Sequence, residues 1–277
     1  MKYTGPVYRP PFEDGSLLLQ ATVGCSHNSC TFCSMYRDVP FQVESMEQIE
    51  QDLLETREKR PWYKRVFLLG GDAFTLDAAR LKEIARKGFA LLDIPISEED
   101  IACIAQESAL SPQLMQENCF NLAYRVVDSA ERKATHQLIE VAFFDTAENY
   151  RHYNDTVQQV LEGPARGRSR RKQYRLKDGS VCDIYALLLV SISASPPILK
   201  FSLDEISRRM SNVLAHGEAL PNRLGLSNIV RHIEKIIKNS IPDLDTVDWK
   251  RNTLYILDPF LLFYLRWGRN WRLPKAG

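Results

Sequence analysis

Cys25, Cys30 and Cys33 fall within nine residues of one another, in the stretch Gly24-Cys25-Ser26-His27-Asn28-Ser29-Cys30-Thr31-Phe32-Cys33. Thiolate is the soft ligand that iron–sulfur clusters use, and three thiolates on one loop suit three irons of a 4Fe–4S cube. The fourth iron is then open to a ligand from outside the protein. The same residues also suit a zinc ion with His27 as fourth ligand, although the position of His27 between Cys25 and Cys30 makes tetrahedral closure awkward. They suit, too, plain buried thiols. Cys103, Cys119 and Cys182 are scattered and read as small buried apolar residues. Six cysteines in 277 residues do not suggest a disulfide scaffold.

The elements that must position this loop are legible around it. A β-prone run over residues 16–23 ends at Gly24, so the cysteines follow a buried strand. Ser45 with Gln48 forms a capping box and opens a helix over 46–59, with Ile49, Leu53 and Leu54 on its inner face. Residues 65–69 read as a buried strand closed by Gly70-Gly71, and a helix over 76–87 ends at Gly88. Strand–helix–strand–helix predicts a parallel βα layer, whose carboxyl end is where such folds carry their chemistry.

The cysteine motif and Gly70-Gly71-Asp72 resemble the radical S-adenosylmethionine (SAM) superfamily. The resemblance implies a 4Fe–4S cluster on Cys25, Cys30 and Cys33, with SAM on the open iron, and reductive cleavage of SAM to a 5′-deoxyadenosyl radical. Phe32 matches the bulky residue that the family places near the adenine. Gly70, Gly71 and Asp72 match the glycine-rich motif that contacts the methionine amino group, where glycines admit the ligand and a carboxylate pairs with ammonium. Pro10-Pro11-Phe12-Glu13-Asp14-Gly15 and Cys33-Ser34-Met35-Tyr36 resemble one uncharacterised bacterial subgroup. The sequence departs from the superfamily in two ways. Four residues separate the first two cysteines where most members have three, and only two βα units are legible. The expected lobe is therefore a truncated, partial-barrel-like one.

Beyond residue 88 the pattern turns helical. Ser97 and Ser111-Pro112 open helices, and a further helix covers 146–161 before Gly163-Pro164. A basic run follows: Arg166, Arg168, Arg170, Arg171, Lys172, Arg175 and Lys177, closed by an Asp178-Gly179 turn. Helices over 183–193, 203–214 (capped by Ser202) and 223–238 come next. The last has Leu226, Ile229, Val230, Ile233 and Ile237 as its core stripe. Strands over 246–249 and 253–257 form a hairpin around Lys250-Arg251-Asn252, before a final helix over 260–267. This order reads as a winged helix-turn-helix.

The stretches beginning at Phe89 and Ser108 resemble the helical lid of AAA+-like ATPases, and 254–267 resembles the end of the winged-helix domain that follows that lid in some bacterial and phage ATPases. No G-x-x-x-x-G-K-[ST] loop occurs, and Gln113 stands where many such lids carry a γ-phosphate-sensing arginine, so no ATP site is expected. Arg231, Lys235 and Lys238, with Lys250 and Arg251, suit DNA contact. They suit equally a solvated helix face or a protein-binding module. The basic run suits phosphate contact or a plain solvated loop.

The expected organisation is α/β followed by mainly α. It comprises a βα lobe (1–88), a lid-like helical segment (89–164), a basic connecting loop (165–182) and a winged-helix domain (183–277). A net charge of +1 argues against a whole-chain polyanion binder. The late apolar run 254–267 is broken by Asp258-Pro259 and is too short to span a bilayer. No signal peptide is evident, and a reducing cytoplasm is the expected location. Two functions are therefore expected. One is a radical SAM-type iron–sulfur protein; the other is a non-catalytic DNA- or protein-binding winged-helix module derived from an AAA+-like ATPase.

Overall fold

In the computed structural model, which describes residues 1–29, 34–60, 66–71, 75–109, 111–163 and 171–271, the apolar run after Ser16 feeds two sheets rather than one strand. Leu17–Gln20 (β1) is wholly buried, and beyond Ala21 the chain continues as Thr22–Val23 (β2), antiparallel to Gln42–Val43 (β3). Helix α1 (Met46–Lys59) then leads to Val66–Leu69 (β4), which lies parallel to β1 with Leu17 opposite Val66 and Gln20 opposite Leu69. Helix α2 (Ala78–Leu91) follows. The expected parallel βα layer is therefore present, as a two-stranded sheet.

Leu17, Leu19, Met46, Ile49 and Leu53 form the core between β1 and α1. Leu54 is exposed; Asp52 and Thr56 take inner positions, where Gln48 donates to Asp52 at 3.1 Å and Thr56 to the Asp52 carbonyl at 2.8 Å. Ser45 caps Gln48 N–H at 3.1 Å, but the reciprocal half of the capping box is absent, because the Gln48 amide has turned to Asp52. Glu44 accepts the Ser45 N–H instead. Strand β4 is less buried than its sequence suggests. Only Leu69 is fully covered and Val66 is exposed. Helix α2 runs through Gly88 to Leu91, because buried Phe89 and core-packed Leu91 hold its last turn in place.

Two further helices, α3 (Glu98–Glu107) and α4 (Pro112–Val127), begin where their serines predict. Ser97 accepts Asp100 N–H at 3.0 Å and Ser111 accepts Leu114 N–H at 3.3 Å, each cap contributing about 1 kcal/mol. Gln116 of α4 donates its amide to the Val66 carbonyl at 2.5 Å, satisfying one group of the β4 edge. The helix expected over 146–161 is two helices, α5 (His136–Glu148) and α6 (Tyr153–Glu162). Tight bonds from Asn149, Tyr150 and Arg151 to residues three back separate them.

The chain divides into two compact units, Met1–Ala105 with Leu110–Ala142, and Gln106–Ala109 with Phe143–Gly277. In the second unit, Tyr174–Arg175 (β5) and Val181–Cys182 (β6) form a hairpin whose Gly179 has φ +86°. Next come α7 (Ile184–Ile192), β7 (Lys200–Ser202), α8 (Leu203–Val213), α9 (Arg223–Ser240), β8 (Val247–Lys250), β9 (Thr253–Ile256) and α10 (Pro259–Trp267). β7, β9 and β8 form an antiparallel sheet in that order, and β7 is a strand the sequence did not reveal. Arg251 and Asn252 both have positive φ, as a two-residue hairpin turn requires. α9 buries Leu226, Val230, Ile233 and Ile237, with Ile229 half-buried. A buried ion pair closes this core. Arg266 donates two bonds to Glu107, at 2.7 and 2.5 Å, and one to the Ser193 carbonyl at 2.5 Å, while Trp267 donates to Glu107 at 2.8 Å.

Candidate functional site

Cys30, Phe32, Cys33 and Asp72 lie outside the described residues; Cys25, Gly70 and Gly71 lie within them. Cys25 is a half-buried free thiol directly after Gly24. Gly24 has φ +69°, and a Cβ there would meet the Val39 and Pro40 carbonyl oxygens at 2.7 and 2.8 Å. Returning backbone thus packs on the start of the cysteine loop. Asn28 also has positive φ and donates its amide to Val39 at 3.3 Å. His27 is exposed, with Nε2 3.1 Å from the Ser29 hydroxyl.

The glycine turn at the end of β4 sits against these same residues. Gly70 has φ +142°, and a Cβ there would collide with the Thr22 side chain and carbonyl. At Gly71 a Cβ would collide with the Gly24 carbonyl and lie 2.7 Å from the Tyr36 ring. Both glycines are thus required by close approach of the chain to itself. That approach brings the turn beside the loop, where β1–β2 and β4 end. Cys25 is a free thiol at the start of the loop, and Thr22 Oγ1, on which Gly70 closes, is buried without a hydrogen-bond partner. Among the described residues, which include one of the three cysteines, no three His, Cys, Asp or Glu side chains gather as a metal site.

Two of the scattered cysteines, Cys119 and Cys182, are held as thiols. Burial pushes the Cys119 and Cys182 thiols up to about 12, so both stay protonated at neutral pH. Cys182 is buried, whereas Cys103 and Cys119 are only half-buried, short of the full burial expected.

On α9, Arg231 and Lys235 are exposed and have no ion-pair partner among the described residues; the same holds for Lys250 and Arg251 at the β8–β9 turn. Lys238 differs. It pairs with Glu234 at 2.9 Å and Asp248 at 3.4 Å, and the Glu234 hydrogen bond holds its ammonium above the ordinary lysine range. Glu234 also accepts Trp249 N–H at 2.9 Å, so Lys238 and Glu234 tie α9 to β8. Lys238 is therefore a structural cation; its Glu at i−4 was the sequence signal for that.

Arg166, Arg168 and Arg170 of the basic run lie outside the described residues. Arg171 closes the end of α6, donating to the Leu161 and Glu162 carbonyls and pairing with Asp183 at 2.5 Å, and its guanidinium stacks 5.0 Å from the Tyr185 ring centre. Lys172 donates to the Ala219 carbonyl at 3.0 Å. Arg175 and Lys177 are exposed. Gln113 is exposed and donates to Glu117 at 3.0 Å. No helix of the described residues is long and apolar enough to cross a membrane. Compared with family models, curated proteins and solved structures, the chain matches none.

Proposed function

We propose that the chain is a radical SAM-type iron–sulfur protein whose first unit binds a 4Fe–4S cluster and SAM. What supports this reading is the seating of Gly70-Gly71 against Thr22 and Gly24, which joins the two cofactor motifs at the carboxyl end of a parallel strand pair. Cys25, Cys30 and Cys33 are the cluster ligands in this reading. When bound, the cluster supplies the electron that cleaves SAM to a 5′-deoxyadenosyl radical. By resemblance, Gly70 and Gly71 would admit the methionine end of SAM, Asp72 would be the carboxylate for its ammonium, and Phe32 would be the bulky residue near the adenine. A reducing cytoplasm fits the free thiols. Anaerobic reconstitution followed by electron paramagnetic resonance is the test. A reduced 4Fe–4S signal that shifts on adding SAM, with release of 5′-deoxyadenosine, is expected. An intact cluster indifferent to SAM would sink the reading.

A second reading applies to the other unit: a winged-helix module that binds duplex DNA. It is favoured by the helix–strand–helix–helix–hairpin order and by the exposed Arg231, Lys235, Lys250 and Arg251, which have no ion-pair partner among the described residues. Salt-dependent duplex binding, weakened by Arg231→Ala with Lys235→Ala, is the expected result. If that double variant binds as the wild type does, α9 is not the contact.

A further inference from the structure

The β5–β6 hairpin carries cations that its own fold does not use. From β5 into the turn that follows it, Tyr174 and Leu176 are buried while Arg175 and Lys177 are exposed, so the two cations alternate with the buried side chains. Neither pairs with a carboxylate among the described residues. Asp178 and Glu218 lie nearby and carry their own negative charge, with hydrogen bonds to Ser180 and to backbone rather than ion pairs to these cations. Asp178 accepts the Ser180 N–H and hydroxyl at 3.0 and 2.6 Å, and Glu218 accepts the Arg175 backbone N–H at 3.3 Å.

The hairpin is bonded to the segment that leads into α9. Leu176 pairs with Leu214 in an antiparallel bridge, Lys177 N–H donates to the Val213 carbonyl at 2.9 Å, and Ala215 N–H donates to the Arg175 carbonyl at 2.9 Å. Lys172 reaches the Ala219 carbonyl in the same connection. The α8–α9 connection is thereby held to a hairpin whose exposed side chains include Arg175 on β5 and Lys177 in the turn. Asn222, at the end of that connection, caps α9 by accepting the Gly225 N–H at 2.8 Å.

We propose that Arg175 and Lys177 form a second phosphate-contacting element, which grips the backbone of a nucleic-acid duplex beside the segment entering α9. This rests on the reading of the second unit as a duplex-binding module and extends its footprint to a hairpin outside the helix–helix–hairpin core. Duplex DNA is favoured over an acidic protein because the cations without an ion-pair partner among the described residues are spread over three separate segments, the β5–β6 hairpin, α9 and the β8–β9 turn. They lie without exposed aromatic neighbours on β5, which is the composition of backbone contact rather than base reading.

The test is fluorescence anisotropy of a labelled duplex of about 20 bp, titrated with the full chain from about 50 to 200 mM salt. Arg175→Ala with Lys177→Ala should weaken binding about tenfold or more and make the logarithmic salt slope shallower by about 1.8, the share of two phosphate contacts. The charge-preserving pair Arg175→Lys with Lys177→Arg should bind as the wild type does, which separates loss of charge from loss of fold. If the wild type binds duplex and Arg231→Ala with Lys235→Ala weakens it, but the hairpin double variant leaves slope and affinity unchanged, the hairpin contact is wrong and the α9 reading stands. If the wild type shows no salt-dependent duplex binding, both are wrong. Equal competition by poly-glutamate would assign the surface to an acidic polypeptide and overturn the proposal.

Discussion

Replacing Gly71 by alanine tests whether the glycine turn and the cysteine loop occupy one place. Gly71 does not have positive φ, so the cost is steric rather than conformational. The added Cβ would drive into the Gly24 carbonyl and lie 2.7 Å from the Tyr36 ring. A ring can rotate away, but Gly24 is itself backed by the Val39 and Pro40 carbonyls and has little room to retreat. Overpacking typically costs about 1–3 kcal/mol, and a backbone collision belongs at the upper end, about 3 kcal/mol. With a urea m-value of about 2 kcal/mol/M, the unfolding midpoint followed by far-UV circular dichroism should fall by about 1.5 M with m unchanged. Iron retained after anaerobic reconstitution should fall with it, because the displaced carbonyl immediately precedes Cys25. A midpoint within about 0.2 M of the wild type would refute the contact between Gly71 and Gly24, and with it the claim that the two motifs meet.

Gly88→Ala should do the opposite: Gly88 lies inside α2 with nothing near its added Cβ, so unfolding should become harder by about 0.5–1 kcal/mol, measured in the same titration. Arg266→Ala should destabilise the second unit by about 3–5 kcal/mol, since it strands the buried Glu107 carboxylate; calorimetry showing a change under 1 kcal/mol would contradict that. Hydrogen bonds from Arg208 and Arg209 hold Glu205 below its ordinary carboxylate value of 4.5. A depressed folded-state pKa stabilises above the unfolded value, and that stability is lost as pH falls through the folded one. Glu205→Gln should therefore lower stability at pH 7 and flatten its acid dependence, and parallel acid-unfolding profiles for the two proteins would count against the linkage.

The sequence alone determined what depends on neighbours in the chain. Ser45, Ser97, Ser111 and Ser202 mark helix starts because a cap's hydrogen bond reaches only three residues ahead. The β8–β9 hairpin was legible for the same reason, its two-residue turn being a local event. The three-cysteine loop is also a local pattern, and so is its position after a strand. Tertiary structure decided the rest. Strand β7 has three residues and too little periodicity to announce itself; it exists because β9, far along the chain, pairs with it. The run 17–23 divides between two sheets because its partners come from elsewhere in the chain, β4 for Leu17–Gln20 and β3 for Thr22–Val23. Gly88, a stop signal by residue type, stays helical because burying Phe89 outweighs the modest cost of a glycine in a helix. Lys238 stands beside Arg231 and Lys235 on α9, but it pairs with Glu234 one turn back, a local signal, and the fold adds Asp248 from β8, which leaves Arg231 and Lys235 as the cations of that helix without an ion-pair partner among the described residues. The meeting of Gly71 with Gly24 was likewise invisible, because register between parallel strands is set by burial on both sides of the layer and not by either motif.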